Sequence, residues 1–165
     1  MRGWVAAGLA VVAVVAAVAL AGGFATVPDT AGASVPAGQV IATGSYDIRI
    51  DRAELVEDRL RVQAELTNRT PESVGYLPYN LVTVALPDGE VLTTGMHRGV
   101  GGWDSGLDPD IPALATLDFD LTGPLPPGDV RVLVRGLEPS DGFLSGPDST
   151  SPGRVRAVVE LGVAR

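Results

Sequence analysis

Arg59-Leu60-Arg61-Val62-Gln63-Ala64-Glu65-Leu66-Thr67 is the stretch whose reading decides the fold. Leu60, Val62, Ala64 and Leu66 fall on one side of an extended chain, while Arg59, Arg61, Gln63, Glu65 and Thr67 fall on the other. Alternation with a period of two is the pattern of a strand with one face in a core and one in water. A helix, with its longer period, would scatter the same apolar side chains around its circumference.

The alternation recurs on both sides of this stretch. Tyr46, Ile48 and Ile50 alternate with Ser45, Asp47, Arg49 and Asp51, and the phase slips by one before Ala53 and Leu55, which predicts a bulge or short break near Asp51. Leu117, Phe119 and Leu121 alternate with Thr116, Asp118 and Asp120. Val130, Val132 and Val134 oppose Arg131, Leu133 and Arg135. Val155, Ala157, Val159, Leu161 and Val163 oppose Arg154, Arg156, Val158, Glu160 and Gly162 as one predicted strand. Asn80 to Leu86 is apolar on both faces and predicts a central strand.

Between these runs stand turn signals: Pro71-Glu72-Ser73, Pro87-Asp88-Gly89, Gly123-Pro124, Pro126-Pro127-Gly128 and Ser151-Pro152-Gly153. Pro87-Asp88-Gly89 predicts a hairpin joining Leu81–Leu86 to Glu90–Thr93. No segment after Val40 sustains a helical period. Seven or eight short strands separated by Gly and Pro imply an antiparallel β-sandwich over residues 40–165, because two one-sided sheets must hide their apolar faces on each other.

Upstream, no charge interrupts Gly3 to Val27, Arg2 stands in front, and Pro28-Asp29 closes the run. A spanning helix needs roughly 20 apolar residues, so residues 1–27 predict an N-terminal hydrophobic helix, either a transmembrane anchor or a signal peptide. Length favours the anchor, since the run exceeds the usual ~7–15 residues of a signal core, whereas Ala19-Leu20-Ala21 before Gly22 offers a cleavage site. Arg2 is the only basic residue before Arg49, which places the N-terminus in the cytoplasm and the rest outside. The expected location is therefore the cell membrane, single-pass with an extracytoplasmic domain, or secretion after a cut near Ala21. Residues 28–39, mostly Pro, Gly, Ala, Ser, Thr and Val, are predicted to be a flexible linker.

The domain contains no Cys, so an exported chain of this kind holds together by packing, without disulfides or thiolate metal sites. All 12 basic residues are Arg, which in an Ala-, Gly- and Val-rich chain reads as the usage of a GC-rich bacterial genome. A net charge of −8 argues against nucleic acid and anionic lipid surfaces as partners.

Three patterns together resemble the immunoglobulin-like domains of bacterial envelope proteins. Leu60 to Thr70 is similar to a strand ending in an Asn-containing turn. Leu81 to Gly89 is similar to a strand leading into an Asp-Gly turn. Leu107-Asp108-Pro109 followed by Leu117-Asp118-Phe119-Asp120-Leu121 is similar to a Pro turn before a Phe-bearing strand. The resemblance spans Ser45 to Arg135 and implies an exported, tethered sandwich of unknown function, with no catalytic residues to carry over. The lipid-bearing Cys of some such proteins is missing here, which leaves the N-terminal segment as the anchor.

The richest candidate region is Gly95 to Pro112, read as one long connection. Five glycines surround Met96, His97, Arg98, Trp103 and Asp104. Trp103 either packs over the end of the sandwich or contacts a ligand. Asp104, Asp108 and Asp110 could supply oxygen ligands to Ca²⁺, although their spacing differs from a calcium loop. His97 is the single histidine, so a small hydrolase would have to pair it with Ser105 and Asp104, without a nucleophile elbow. Tyr76 and Tyr79 flank Leu77-Pro78 as a second candidate contact, and Phe143-Leu144 is the one apolar island in the polar stretch from Glu138 to Gly153. Asn68-Arg69-Thr70 fits a glycosylation acceptor and, more simply, a turn. Nothing in the sequence calls for a cofactor. The expectation is a non-catalytic interaction or accessory module recognising an envelope protein or polymer through His97, Arg98, Trp103, Tyr76, Tyr79, Phe143 and Leu144. Its rivals are a calcium-stabilised adhesion domain and the hydrolase.

Overall fold

The computed structural model describes residues 30–75, 77–78, 80–93, 96–99, 106–139 and 150–164. The predicted N-terminal helix over residues 1–27 lies outside them. Among the described residues every regular element is a strand: β1 (Ala33–Ser34), β2 (Val40–Ala42), β3 (Tyr46–Val56), β4 (Arg59–Asn68), β5 (Val82–Ala85), β6 (Val91–Thr93), β7 (Met96–Gly99), β8 (Pro112–Asp120), β9 (Val130–Pro139), β10 (Thr150–Leu161) and β11 (Val163–Ala164).

They form two sheets. The first runs β1-β10-β9-β5-β6, and the second runs β11-β3-β4-β8-β7 with β2 also beside β3. Longer strands pair antiparallel, whereas the short β1 and β11 lie parallel to β10 and β3. Ile48, Ile50, Leu60, Val62, Leu66, Leu117 and Phe119 of the second sheet meet Val82, Val84, Val130, Val132, Val134 and Val159 of the first in one buried cluster. Each buried aliphatic or aromatic side chain of this kind contributes roughly 1.5–3 kcal/mol, so these alternating positions are what closes the sandwich.

The inward residues of Arg59–Thr67 are the ones the alternation selects, all at most 1% exposed. The slip near Asp51 is a bulge: Ile50 pairs with Ala64 and Arg52 with Gln63, leaving Asp51 as the extra residue that lets both Ile50 and Ala53 face inward. β5 is buried at all four positions and lies between β9 and β6. Pro87-Asp88-Gly89 closes the β5–β6 hairpin, with Gly89 at φ 94° and the Leu86 N–H donating to the Glu90 carbonyl at 2.8 Å.

Three expectations change. Val155 does not share a face with Ala157, because the register shifts between them and Arg156 becomes the extra residue. Val155 instead joins Ala85, Leu133 and Val158 in a small cluster on the outer face of the first sheet. Nor is Val155 to Val163 one strand: β10 ends at Leu161, and after Gly162 the chain crosses to the second sheet, where Val163 pairs with Ala53. Finally, the stretch read as a linker contributes β1, where Ala33 pairs with Ala157 and the Val35 N–H donates to the Val158 carbonyl at 2.9 Å.

Candidate functional site

The topology brings three connections to one end of the sandwich. β4 ends at Asn68 beside Tyr46 and Pro109, while Thr67 of β4 pairs with Pro112, the first residue of β8. β5 begins at Val82, opposite Val134, and the Arg135 N–H donates to the Leu81 carbonyl. β9 leaves the sheet at Pro139, opposite the start of β10 at Thr150. The connections 69–81, 100–111 and 140–149 therefore all open from this end. The opposite end carries the Glu57-Asp58 turn and the Pro87-Asp88-Gly89 hairpin.

Tyr76 and Tyr79 belong to the first of these connections, Trp103, Asp104 and Ser105 to the second, and Phe143 and Leu144 to the third. These seven residues lie outside the described residues. His97 and Arg98 do not sit in a loop: they lie in β7, opposite Leu117 and Thr116 of β8, so the long connection shortens to 100–111. Alternation failed to reveal this strand, because the three residues between Gly95 and Gly99 are too few to establish a period.

Beneath the loops lies a stitched polar platform. Asn68 is fully buried, yet each side-chain atom that can bond does so. Its Nδ2 donates to the carbonyls of Glu72 (2.7 Å) and Leu107 (3.0 Å), and its Oδ1 accepts from the Thr70 N–H (2.9 Å) and hydroxyl (2.7 Å). The Oδ1 contact is an Asx-turn, the local alternative Asn offers to a strand ladder. Burial also withdraws Asn68 from any role as a glycan acceptor.

Val74 and Leu107 exchange both backbone hydrogen bonds, at 3.1 and 2.7 Å, and fasten the first connection to the second. Gly106, at φ 83°, permits this approach, since a Cβ there would lie 2.9 Å from the Val74 carbonyl oxygen. Ser73 Oγ donates to Asp108 at 2.6 Å, and the Arg69 guanidinium bridges Asp110 and Asp47. Hydrogen bonding to Asp110, then to Asp47, raises the Arg69 pKa above its ordinary value and keeps it charged.

Two of the three calcium candidates are thus already engaged, Asp108 by a hydroxyl and Asp110 by a guanidinium. Asp104 lies outside the described residues. Among the described residues no three acidic or imidazole groups converge on a point that could hold a metal. Sequence reasoning missed Arg69 and Ser73 as members of the platform; the available signal was the Asn-x-Thr turn, which locates the corner without naming its partners.

No protein-family model matches the chain, and no curated protein matches it. Among solved structures it is similar to an uncharacterized beta-sandwich protein from Clostridium difficile 630, at 11% identity and a TM-score of 0.49, over 82% of this chain and 97% of that one.

Proposed function

We propose that this chain is an extracytoplasmic, non-catalytic interaction module of a bacterial cell envelope, tethered by its N-terminal hydrophobic segment and folded as an immunoglobulin-like sandwich. The observation that carries the reading is the convergence of three connections on one end, above a platform that fastens two of them together. Loops held by a rigid sandwich are where recognition usually resides. Those three connections carry Tyr76, Tyr79, Trp103, Phe143 and Leu144, residue types that bury large contact areas when they meet a partner.

Strand order supports the finer fold reading. In the second sheet β3, β4, β8 and β7 are neighbours, and in the first β10, β9, β5 and β6 are, which corresponds to the A-B-E-D and G-F-C-C′ orders of immunoglobulin-like sandwiches. Export is supported by the uncharged run Gly3–Val27 behind Arg2.

Photo-crosslinking in intact cells tests the function. A crosslinker at position 103 or 143 of the full chain is expected to give a discrete adduct, and one at position 88, in the hairpin at the far end, is not. Equal adducts from all three positions, or none from 103 and 143, would refute recognition by this end. A C-terminal fusion to a phosphatase that is active only after export should be active, and an inactive fusion would refute the location.

A further inference from the structure

The first sheet carries an apolar patch on its outer face. Val82, Val84, Val132, Val134 and Val159 point into the sandwich, so the residues between them along each strand point away from it. Ala85 of β5, Leu133 of β9, and Val155 and Val158 of β10 form a separate cluster there, with Val91 of β6 packed against it. Thr83 shares this face, since it stands opposite Leu133, which stands opposite Val158.

An open sheet face screens its side chains from the flanks and leaves their tops to water. Here Leu133 is fully buried, Ala85 is 1% exposed, Thr83 2%, and Val155 and Val158 7% each. The second sheet lies against the inner face, and every described strand belongs to one sheet or the other. The layer over this patch must therefore come from elsewhere in the chain or from another molecule. Where it meets Thr83 it is apolar, because that buried hydroxyl has no hydrogen-bond partner.

The place where the described chain begins chooses the occupant. Thr30 to Gly32 arrive beside β10, and a Cβ on Gly32 would lie 2.8 Å from Val155 Cγ1, a methyl of the outer cluster. Immediately upstream stands Gly22-Gly23-Phe24-Ala25-Thr26-Val27-Pro28-Asp29, uncharged as far as Pro28. Gly22-Gly23 disfavours a helix and Pro28 biases Val27 toward extended backbone. Phe24 lies six residues before Thr30, a reach of about 20 Å when extended. The distance from β10 across β9 and β5 to β6 is three strand spacings, about 14 Å. Phe24 and Val27 are thus within reach of the whole patch.

We infer that residues 22–29 form a strap across the outer face of the first sheet, with Phe24 and Val27 seated on Leu133, Val155 and Val91, so that the sandwich is fastened to its leader instead of hanging on a loose tether. This goes beyond recognition by the loop end. It holds whether the leader is cut near Ala21 or spans, since Gly3 to Ala21 alone gives about 28 Å of helix against a hydrocarbon core of about 30 Å.

The test is NMR of the full chain in deuterated detergent, with Ile, Leu and Val methyl groups labelled. Ring protons of Phe24 should show nuclear Overhauser contacts to methyls of Leu133, Val155 or Val91. Phe24→Ala and Val27→Asp should each shift those methyl signals and raise several-fold their relaxation by a water-soluble paramagnetic agent. The Ile48 and Ile50 methyls, buried between the sheets, should stay in place and report that both variants are folded. No contacts from Phe24, or outer-face methyls unchanged in both variants, would overturn the inference and leave the stems of Arg131 and Arg135 as the cover. Contacts found only between differently labelled copies would overturn it in favour of a second copy. Uncovering by Phe143→Ala but not by Phe24→Ala would overturn it in favour of the connection 140–149.

Discussion

Replacing Asn68 by Ala removes four hydrogen bonds from a fully buried position. Glu72 and Thr70 lie toward solvent, so their freed groups can turn to water, and each lost bond there costs about 0.5 kcal/mol. The Leu107 carbonyl cannot do so. Leu107 is 1% exposed, and its oxygen would keep only the 3.1 Å bond from Val74, which puts its share at about 1–1.5 kcal/mol. The expected total is about 3 kcal/mol, read by urea unfolding of residues 30–165 followed by circular dichroism, with an unchanged m-value. Asn68→Asp distinguishes hydrogen bonding from mere packing. It keeps the acceptor but turns a carboxylate oxygen toward the Glu72 and Leu107 carbonyls, and burial raises the pKa of that carboxyl in the folded variant. A raised folded pKa means the folded state holds the proton more tightly, so stability falls as pH rises from the unfolded value of about 3.9 through the folded one. Relative to wild type, the Asp variant should therefore be worse at pH 7 than at pH 4.5. A loss below about 1 kcal/mol for Ala, or an Asp deficit that grows on acidification, would refute the account of the platform.

Gly106→Ala should cost about 1–3 kcal/mol in the same assay, because the position sits at φ 83° and the new Cβ would meet the Val74 carbonyl oxygen at 2.9 Å. Glu57→Gly should stabilise by up to about 1 kcal/mol, since relief of roughly 1–2 kcal/mol of left-handed strain at φ 58° in the β3–β4 turn outweighs the roughly 0.4–1 kcal/mol that glycine adds to the unfolded chain's entropy. Gly32→Val should free the N-terminal edge, raising amide exchange at residues 33–35 with little change in global stability; its Cβ would lie 2.8 Å from Val155 Cγ1 and 3.1 Å from the Ala157 nitrogen. Arg61→Gln should cost under about 1 kcal/mol, and that cost should be constant from pH 6 to 9. Hydrogen bonding to Asp118 raises the Arg61 pKa, so its contribution is complete below the ordinary arginine value and fades only as strong alkali reaches the folded one. Thermal melts of the pair across that pH range check it.

The fold was legible wherever a strand was long enough to show its period and had one wet face. Arg59–Thr67 met that condition, as did Tyr46–Ile50, where even the slip at Asp51 could be read, because a bulge moves every later side chain to the other face. The bulge at Arg156 escaped notice because Val155, Val158 and Val159 are all apolar, and a phase change between two apolar faces leaves no mark in the sequence. The crossing at Gly162 was hidden for a different reason: alternation reports which face a residue takes, not which sheet the strand joins. The platform was half legible. An Asn-x-Thr corner announces its own turn, but the partners of Asn68 and Ser73 at Leu107 and Asp108 lie far along the chain. Thr83 gave no signal, since a missing hydrogen-bond partner is a property of three dimensions.

The two outer faces differ in what they leave available. Across the second sheet, Arg49 pairs with Asp51 and Glu65, Arg59 with Asp120, Arg61 with Asp118, and Arg69 with Asp47 and Asp110. The charges on this face largely answer one another across neighbouring strands, and at their partial exposure such pairs contribute little to stability and are screened by salt. They keep the face hydrated and discourage pairing with a second sheet. The centre of the first sheet's outer face is instead apolar among the described residues. There Ala85, Leu133, Val155 and Val158 are buried, with Val91 packed against them and Thr83 opposite Leu133. Substitutions across the second face should therefore alter solubility and salt response. The strands thus divide the labour: the buried interface fixes the sandwich and the paired charges keep one side in water, while the proposed recognition falls to the end where the three connections open.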